Sequence, residues 1–71
     1  MSKATIIASG YCDAAVGNGR ALPEIMAHLE SLFDSDDEPV LMQKGDHQEI
    51  WLVYDDSRPS ELIFKLPKGY K

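Results

Sequence analysis

The sequence predicts an α+β fold in the order β-α-β-β-β, with one helix packed on one face of a four-stranded, mostly antiparallel sheet. Three observations predict it. Apolar residues between positions 22 and 33 recur at the spacing of one helical face, and three short runs rich in β-branched and aromatic residues follow position 38. A further β-branched run lies near the N-terminus. At 71 residues, the chain has room for one domain with one hydrophobic core.

The N-terminal run, ATIIAS (residues 4–9), is predicted to be the first strand. It is short, its centre is β-branched, and Gly10 follows it, which is typical of a strand that ends at a turn. The next segment, GYCDAAVGNGRA (residues 10–21), carries three glycines and is predicted to be a loop. Within it, Gly17, Asn18 and Gly19 are interpreted as turn formers.

The helix is predicted to begin at Leu22 and to end near Phe33 or Asp34. Pro23 suits the first helical turn, and Pro39 prevents the helix from continuing into the following segment. The apolar residues that define its buried face are Leu22, Ile25, Met26, Leu29, Leu32 and Phe33.

Three antiparallel strands are predicted after the helix: PVLMQ (39–43), EIWLVY (49–54) and ELIFKL (61–66). Gly45 and Asp46 form a two-residue hairpin signal between the first two. Pairing Tyr54 with Leu62 places one apolar set toward the helix, namely Ile50, Leu52, Tyr54, Leu62, Phe64 and Leu66. The opposite face, called the outer face below, then carries Val40, Met42, Trp51, Val53 and Ile63 beside Glu49 and Lys65.

Charge is the second strong feature of the chain. Twelve acidic against seven basic residues give a net charge of −5, which opposes direct binding to nucleic-acid phosphates and favours a basic protein surface as the partner. Antiparallel topology places the end of the helix beside the turn after EIWLVY. The acidic pole is therefore predicted to contain Asp34, Asp36, Asp37, Glu38, Asp55, Asp56 and Glu61, opposed there by Lys3 and Arg58. Four lysines are expected at the other end: Lys44, Lys65, Lys68 and Lys71.

The acidic run does not fit a calcium-binding EF-hand loop. Counting from Asp34, the sixth and twelfth positions hold Pro39 and Gly45 where that loop needs glycine and glutamate. A looser divalent site shared with Asp55 or Asp56 stays open as a weaker alternative, since clustered oxygen ligands alone do not define a metal site. We expect no metal and no cofactor.

Cys12 is the single cysteine, which excludes an internal disulfide and suits a reducing cytosol. The segment around it lies where phosphate-binding loops lie, but it matches no glycine-rich template. The spacing from Cys12 to Arg20 is two residues longer than in the loop of cysteine phosphatases. An inert, packed thiol is therefore the preferred interpretation. No apolar run is long enough to span a bilayer, and we expect a cytoplasmic protein without membrane association.

Two histidines are candidates for acid–base or metal chemistry, and neither has a defined third partner. His28 follows Glu24 by one helical turn and is expected to form a surface pair with it. His47 and Glu49 are expected on the same strand face.

In its small size, its acidity and its lack of catalytic signatures, the chain resembles phage-encoded inhibitors of bacterial defence, the anti-CRISPR proteins in particular. The resemblance concerns general character and no aligned motif. It implies stoichiometric, non-enzymatic inhibition, in which such a protein occupies a nucleic-acid-binding surface or a subunit interface of its target.

The leading hypothesis is thus a non-enzymatic binding protein that docks its acidic pole on a basic site of a nucleic-acid-handling complex. The predicted partner-binding residues are Asp34, Asp36, Asp37, Glu38, Asp55, Asp56 and Trp51. Two alternatives stay open. One is a homodimeric structural or regulatory domain that associates through the outer face around Trp51, and the other is a small anion-binding or cysteine-dependent enzyme that uses Cys12 and Arg20.

Overall fold

The computed structural model describes residues 3–71 and shows two helices followed by a three-stranded antiparallel sheet. The order is α-α-β-β-β, so the predicted β-α-β-β-β order with four strands is wrong. The elements are α1 (Lys3–Gly17), α2 (Leu22–Leu32), β1 (Asp37–Lys44), β2 (His47–Tyr54) and β3 (Glu61–Lys65). The strands lie side by side in the order β1-β2-β3.

Helix α1 replaces the predicted first strand and most of the predicted loop. Its buried residues, Thr5, Ala8, Cys12 and Ala15, recur at the spacing of one helical face. All four are small, so the helix can lie close to its neighbours. Ile6 and Ile7, which suggested a strand, are 58% and 54% exposed. Packing of the small face therefore overrides the β-propensity of these two residues.

The glycine-rich segment ends α1. Gly19 has a φ of 71°, a left-handed conformation that glycine adopts without steric penalty. Its N–H donates to Val16 O and the Arg20 N–H donates to Ala15 O, both at 3.1 Å, which is the bond pattern of a Schellman cap. The turn-forming role predicted for Gly19 is confirmed, and the turn it forms leads into α2.

Helix α2 is confirmed within two residues of its predicted end. Pro23 lies in its first turn, and Leu22, Ile25 and Leu29 are buried. Phe33 already has extended backbone angles, with φ −115° and ψ 158°. The chain then reaches β1 through a turn in which the Asp37 N–H donates to Asp34 O at 3.0 Å.

The hairpin between β1 and β2 is confirmed. Lys44 pairs with His47 around the Gly45-Asp46 turn, and Gly45 has a φ of 63°. Because only the first central residue of the turn has positive φ, it corresponds to a type II′ turn. The resulting register pairs Val40 with Trp51 and places both on the outer face.

The predicted pairing of Tyr54 with Leu62 is wrong. Leu62 pairs with Trp51 and Phe64 with Ile50, with a register shift between these pairs that leaves Ile63 as an extra residue. Leu62 therefore lies on the outer face, and Ile63, predicted there, is buried at 3% exposure. A bulge of this kind cannot be seen in an alternating pattern.

Both helices pack on the same face of the sheet, α1 against β3 and α2 against β1, and they also contact each other. The core between the layers consists of Ala8, Cys12, Ala15, Leu22, Ile25, Leu29, Ile50, Leu52, Tyr54, Ile63 and Leu66. The radius of gyration, 11.5 Å, is close to the value of about 11 Å expected for a compact chain of this length. The outer face carries no helix from residues 3–71.

Candidate partner-binding surface

The fold brings the two predicted acidic segments together. Asp37, the first residue of β1, pairs with Tyr54, the last residue of β2. The turn before β1 and the turn after β2 therefore meet at one end of the sheet, because neighbouring antiparallel strands place the start of one beside the end of the other. The predicted juxtaposition of Asp34 and Asp36 with Asp55 is confirmed.

Arg58 neutralises part of the acidic pole. Its Nε donates to both carboxylate oxygens of Asp56 at N–O distances of 2.9 Å, and its Nη2 lies 3.9 Å from Asp37 Oδ1. The guanidinium also stacks on the Tyr54 ring at 3.9 Å. The side-chain hydrogen bond from Arg58, with help from its backbone N–H, holds the pKa of Asp56 below its usual range. Asp37 and Asp56 are therefore weaker binding candidates than the sequence indicates.

The other carboxylates of the pole are differently placed. Asp34, Asp36, Glu38 and Asp55 are exposed, and none of the ion pairs within residues 3–71 includes them. Glu61 accepts a hydrogen bond from the Thr5 hydroxyl at 2.9 Å, which ties its carboxylate to α1. The charge available to a partner is thus concentrated on four side chains.

At the end of the molecule opposite the acidic pole, several basic residues contact acidic or aromatic side chains of the same chain. Lys68 Nζ lies 3.8 Å from Asp46 Oδ2 in the hairpin turn, and Arg20 Nη1 lies 2.8 Å from Glu24 Oε1 at the start of α2. Lys44 lies over the Trp51 ring, 5.8 Å from its centroid. The electrical asymmetry predicted from the sequence is visible in these positions.

Trp51 lies half-buried at the centre of the outer face. It lies three ladder positions from Tyr54 and the acidic pole, which corresponds to roughly 10 Å along the strand. Glu38 pairs with Val53 and shares this outer face, so it connects the pole to Trp51. Glu38 and Val53 are therefore the residues that link the acidic pole to Trp51, the two parts of the predicted site.

A chain of hydrogen bonds runs along β2 on the outer face. The Trp51 indole N–H donates to Glu49 Oε1 at 2.9 Å, and His47 Nε2 lies 3.0 Å from Glu49 Oε2. The His47 Nδ1 atom is 3.3 Å from Asp46 Oδ1. The Glu49 side chain is only 9% exposed, so its carboxylate depends on these partners and on Lys65, its ladder neighbour. The hydrogen bond with Glu49, followed by that with Asp46, raises the pKa of His47, and the same His47 contact lowers the pKa of Glu49.

These shifts predict a pH optimum for stability. A raised pKa in the folded state means that protonated His47 stabilises the fold below its ordinary pKa of about 6.5, and that this stabilisation is lost as pH rises through the higher folded value. Glu49 contributes above its ordinary pKa of about 4.5 and loses that contribution in acid. We expect the free energy of unfolding to be highest between these two values, as measured by urea denaturation across a pH series.

His47→Gln is the matched variant for this prediction. It removes the titrating group while retaining a side chain that can donate to Glu49, so the fall in stability on the alkaline side should disappear and the acid side should persist. An unchanged alkaline fall in His47→Gln would contradict the assignment.

Cys12 and Arg20, the residues of the alternative enzymatic interpretation, lie in different environments. Cys12 is fully buried in α1, and burial raises the pKa of its thiol to about 11, which opposes thiolate formation. Arg20 is engaged by Glu24. The predicted pair of His28 with Glu24 is wrong: none of the ion pairs within residues 3–71 includes His28, and its ring lies against Tyr11 at a centroid distance of 4.1 Å. Within residues 3–71, no group of three or more His, Cys, Asp or Glu side chains is placed to hold a metal ion.

Sequence reasoning missed the surface around Ser9. This residue and the β3 residues line a groove of about 460 Å³. The miss follows from assigning residues 4–9 to a strand; the recurrence of small residues at positions 5, 8, 12 and 15 was the signal that could have revealed the helix.

Comparisons with protein-family models, with curated proteins and with solved structures each gave no match. Within the described residues, neither α1 nor α2 is long and apolar enough to cross a bilayer. The arrangement of side chains at the acidic pole and on the outer face therefore carries the functional argument.

Proposed function

We propose that the protein is a non-enzymatic binding protein that docks its acidic pole on a basic surface of a larger, nucleic-acid-handling complex in the cytoplasm. It would act as a stoichiometric inhibitor of the anti-CRISPR kind, because a ligand bound at that surface competes with phosphate charge. The resemblance in size and charge makes a bacterial defence complex the first class of target to test.

The observation that carries the proposal is the pairing of Asp37 with Tyr54. It places the exposed carboxylates of Asp34, Asp36 and Asp55 at one end of the sheet with no ion pair to residues 3–71. Uncompensated charge of one sign raises the rate of association with an oppositely charged surface, in a salt-dependent way. Arg58 reduces the contribution of Asp37 and Asp56, so they are secondary members of the proposed site.

Trp51 is proposed as the apolar part of the interface. Its ring lies on a face that no helix of residues 3–71 covers, and it is held by its hydrogen bond to Glu49, so little side-chain freedom is lost on binding. Tryptophan is a frequent hot-spot residue in protein interfaces.

The test starts from capture on the immobilised protein from a bacterial extract at about 0.05 and 0.5 M salt, which weakens charge-driven binding. Association rates are then measured with the captured partner. Asp36→Asn combined with Asp55→Asn should lower the association rate on the order of tenfold at low salt. Asp13→Asn combined with Glu24→Gln changes the net charge equally at exposed positions outside the pole and should leave the rate within about twofold.

Nucleic acid should compete with the protein for the captured partner. Equal rates for the pole variant and its control would contradict the electrostatic docking. Capture that persists unchanged at high salt would contradict it as well.

A homodimer through the outer face is the second candidate, supported by the absence of a helix from residues 3–71 on this face. Trp51, Val40 and Leu62 lie together there. Sedimentation of wild type and Trp51→Ala separates the candidates, since a dimer dissociates on truncation whereas a monomeric inhibitor keeps its mass.

A further inference from the structure

The two edges of the sheet differ in their ability to accept another strand. In the β1–β2 hairpin, Lys44 and His47 close the two-residue turn, so alternate residues of β1 bond to β2 and Pro39 and Leu41 point their backbone nitrogens to the outside. Proline has no N–H, so Pro39 removes a donor from this edge. The β1 edge is therefore poorly suited to strand addition.

The β3 edge keeps its donors. The Leu66 N–H donates to Gln48 O at 2.9 Å, and Lys65 is the residue before it, opposite Glu49. Because N–H groups alternate in direction along a strand, the Lys65 N–H and C=O point away from β2, toward the outside of the sheet. The two prolines nearest to β3, Pro59 and Pro67, lie beyond its ends.

A groove runs along this edge under α1. It is lined by Ser9 and by the whole of β3, and its volume is about 460 Å³. Helix α1 packs against β3 and supplies Ser9 to the lining, so the groove lies between α1 and the edge strand. Ile6, which is 58% exposed, lies one helical turn before Ser9 on α1. The groove therefore lies where a fourth strand beside β3 would lie.

We propose that this groove binds an extended segment of another protein as a fourth strand beside β3. Backbone hydrogen bonds to Lys65 hold the segment, and its side chains on the inner face contact Ser9. The groove has a negative end at Glu61, whose carboxylate also accepts the hydrogen bond from Thr5, and a positive end at Lys65. The segment that fits carries a lysine or arginine beside Glu61, an acidic or amide residue beside Lys65, and β-branched or aromatic residues between them.

Charge and register argue against a second copy as the occupant. Two copies bring together net charges of −5 each. Across the bulge, Glu61 lies opposite Leu52 on the inner face and Lys65 lies opposite Glu49 on the outer face. An antiparallel pair of β3 strands would therefore place these two charges on opposite faces, where they could not pair. Glu61 is the one acidic-pole residue that lines this groove, and strand addition beside β3 does not depend on the docking proposed above.

The test uses the full chain and a phage-displayed library of random linear dodecapeptides. Enriched peptides should show alternating β-branched or aromatic residues with a basic residue toward one end. In NMR hydrogen exchange, a synthetic copy of the best peptide should slow exchange of the Lys65 amide and leave the Leu41 amide unchanged.

Three variants sharpen the test. Lys65→Pro removes the outward donor of β3 and should weaken peptide binding by more than about tenfold, whereas Leu41→Pro removes an outward donor on the other edge and should bind as wild type. Ser9→Trp fills the groove from α1 without altering β3 and should weaken binding to a similar degree, which keeps the test decisive if Lys65→Pro does not fold.

Several results would overturn the proposal. These are a library without enrichment, peptides that bind Ser9→Trp as well as wild type, and protection that appears at Leu41. Sedimentation that shows a wild-type dimer disrupted in Ser9→Trp would identify a second copy as the occupant and would likewise refute the proposed partner.

Discussion

Ile50→Ala is expected to destabilise the fold by about 2 to 5 kcal/mol. Ile50 is fully buried at the centre of β2, where it pairs with Leu41 on one side and Phe64 on the other. Removal of its side chain loses the transfer free energy of the buried carbons and leaves a cavity between the sheet and the helices. A chain of 71 residues has a total stability of about 4 to 11 kcal/mol, so the variant should lose a large part of it.

Leu41→Ala is the matched control for this prediction. Leu41 is the ladder partner of Ile50 but is 38% exposed at the sheet edge, so its truncation should change stability much less. Urea denaturation of both variants, with fitted midpoints and slopes, gives the comparison. Equal losses in the two variants would show that the core does not lie where the fold places it.

The elements predicted correctly are those whose signals are local. Helix α2 has a wide apolar stripe with Pro23 at its start, and the β1–β2 hairpin has Gly45 at the position where positive φ is needed. In both, local pattern and tertiary packing agree. When they agree, the secondary structure of a segment can be predicted from its sequence.

Helix α1 was missed for the opposite reason. Its buried face consists of small residues, and its largest apolar residues, Ile6 and Ile7, point outward. The buried side of α1 therefore carries small residues and the exposed side carries the large apolar ones, which is the reverse of an ordinary amphipathic helix. The adjacent β-branched residues Ile6 and Ile7 then resemble a strand in the sequence. Only the shape of the surface beneath α1 reveals why alanine and cysteine occupy its inner side.

The acidic pole was predictable because it depends on the antiparallel order of the strands more than on their exact register. Any antiparallel pairing of β1 with β2 places Asp37 near Asp55, whatever the exact register. The partners of individual charges could not be predicted, since the position of Arg58 over Tyr54 depends on the conformation of the turn between β2 and β3. The positions of Leu62 on the outer face and Ile63 in the core could not be predicted either, because they depend on a bulge that the alternating sequence pattern does not show.

The small face of α1 leads to the second large expected effect: Ala8→Leu should destabilise the protein by about 1 to 3 kcal/mol. Ala8 is fully buried among the core side chains, in a helix that packs against β3 and α2. Three added carbon atoms have no space there, so the helix must move away from the sheet or adopt strained rotamers. Thermal and urea denaturation should both show the loss.

Ala14→Leu tests whether the effect arises from packing and not from the change of residue type. Ala14 lies on the exposed side of the same helix, and alanine and leucine are both strong helix formers, so this variant should stay within about 0.5 kcal/mol of wild type. If residues 4–9 formed a strand, Ala8 and Ala14 would not lie on opposite sides of one helix. There would then be no reason to expect different stability changes from Ala8→Leu and Ala14→Leu. A neutral Ala8→Leu variant would therefore contradict the placement of α1, and with it the groove along β3 that α1 covers.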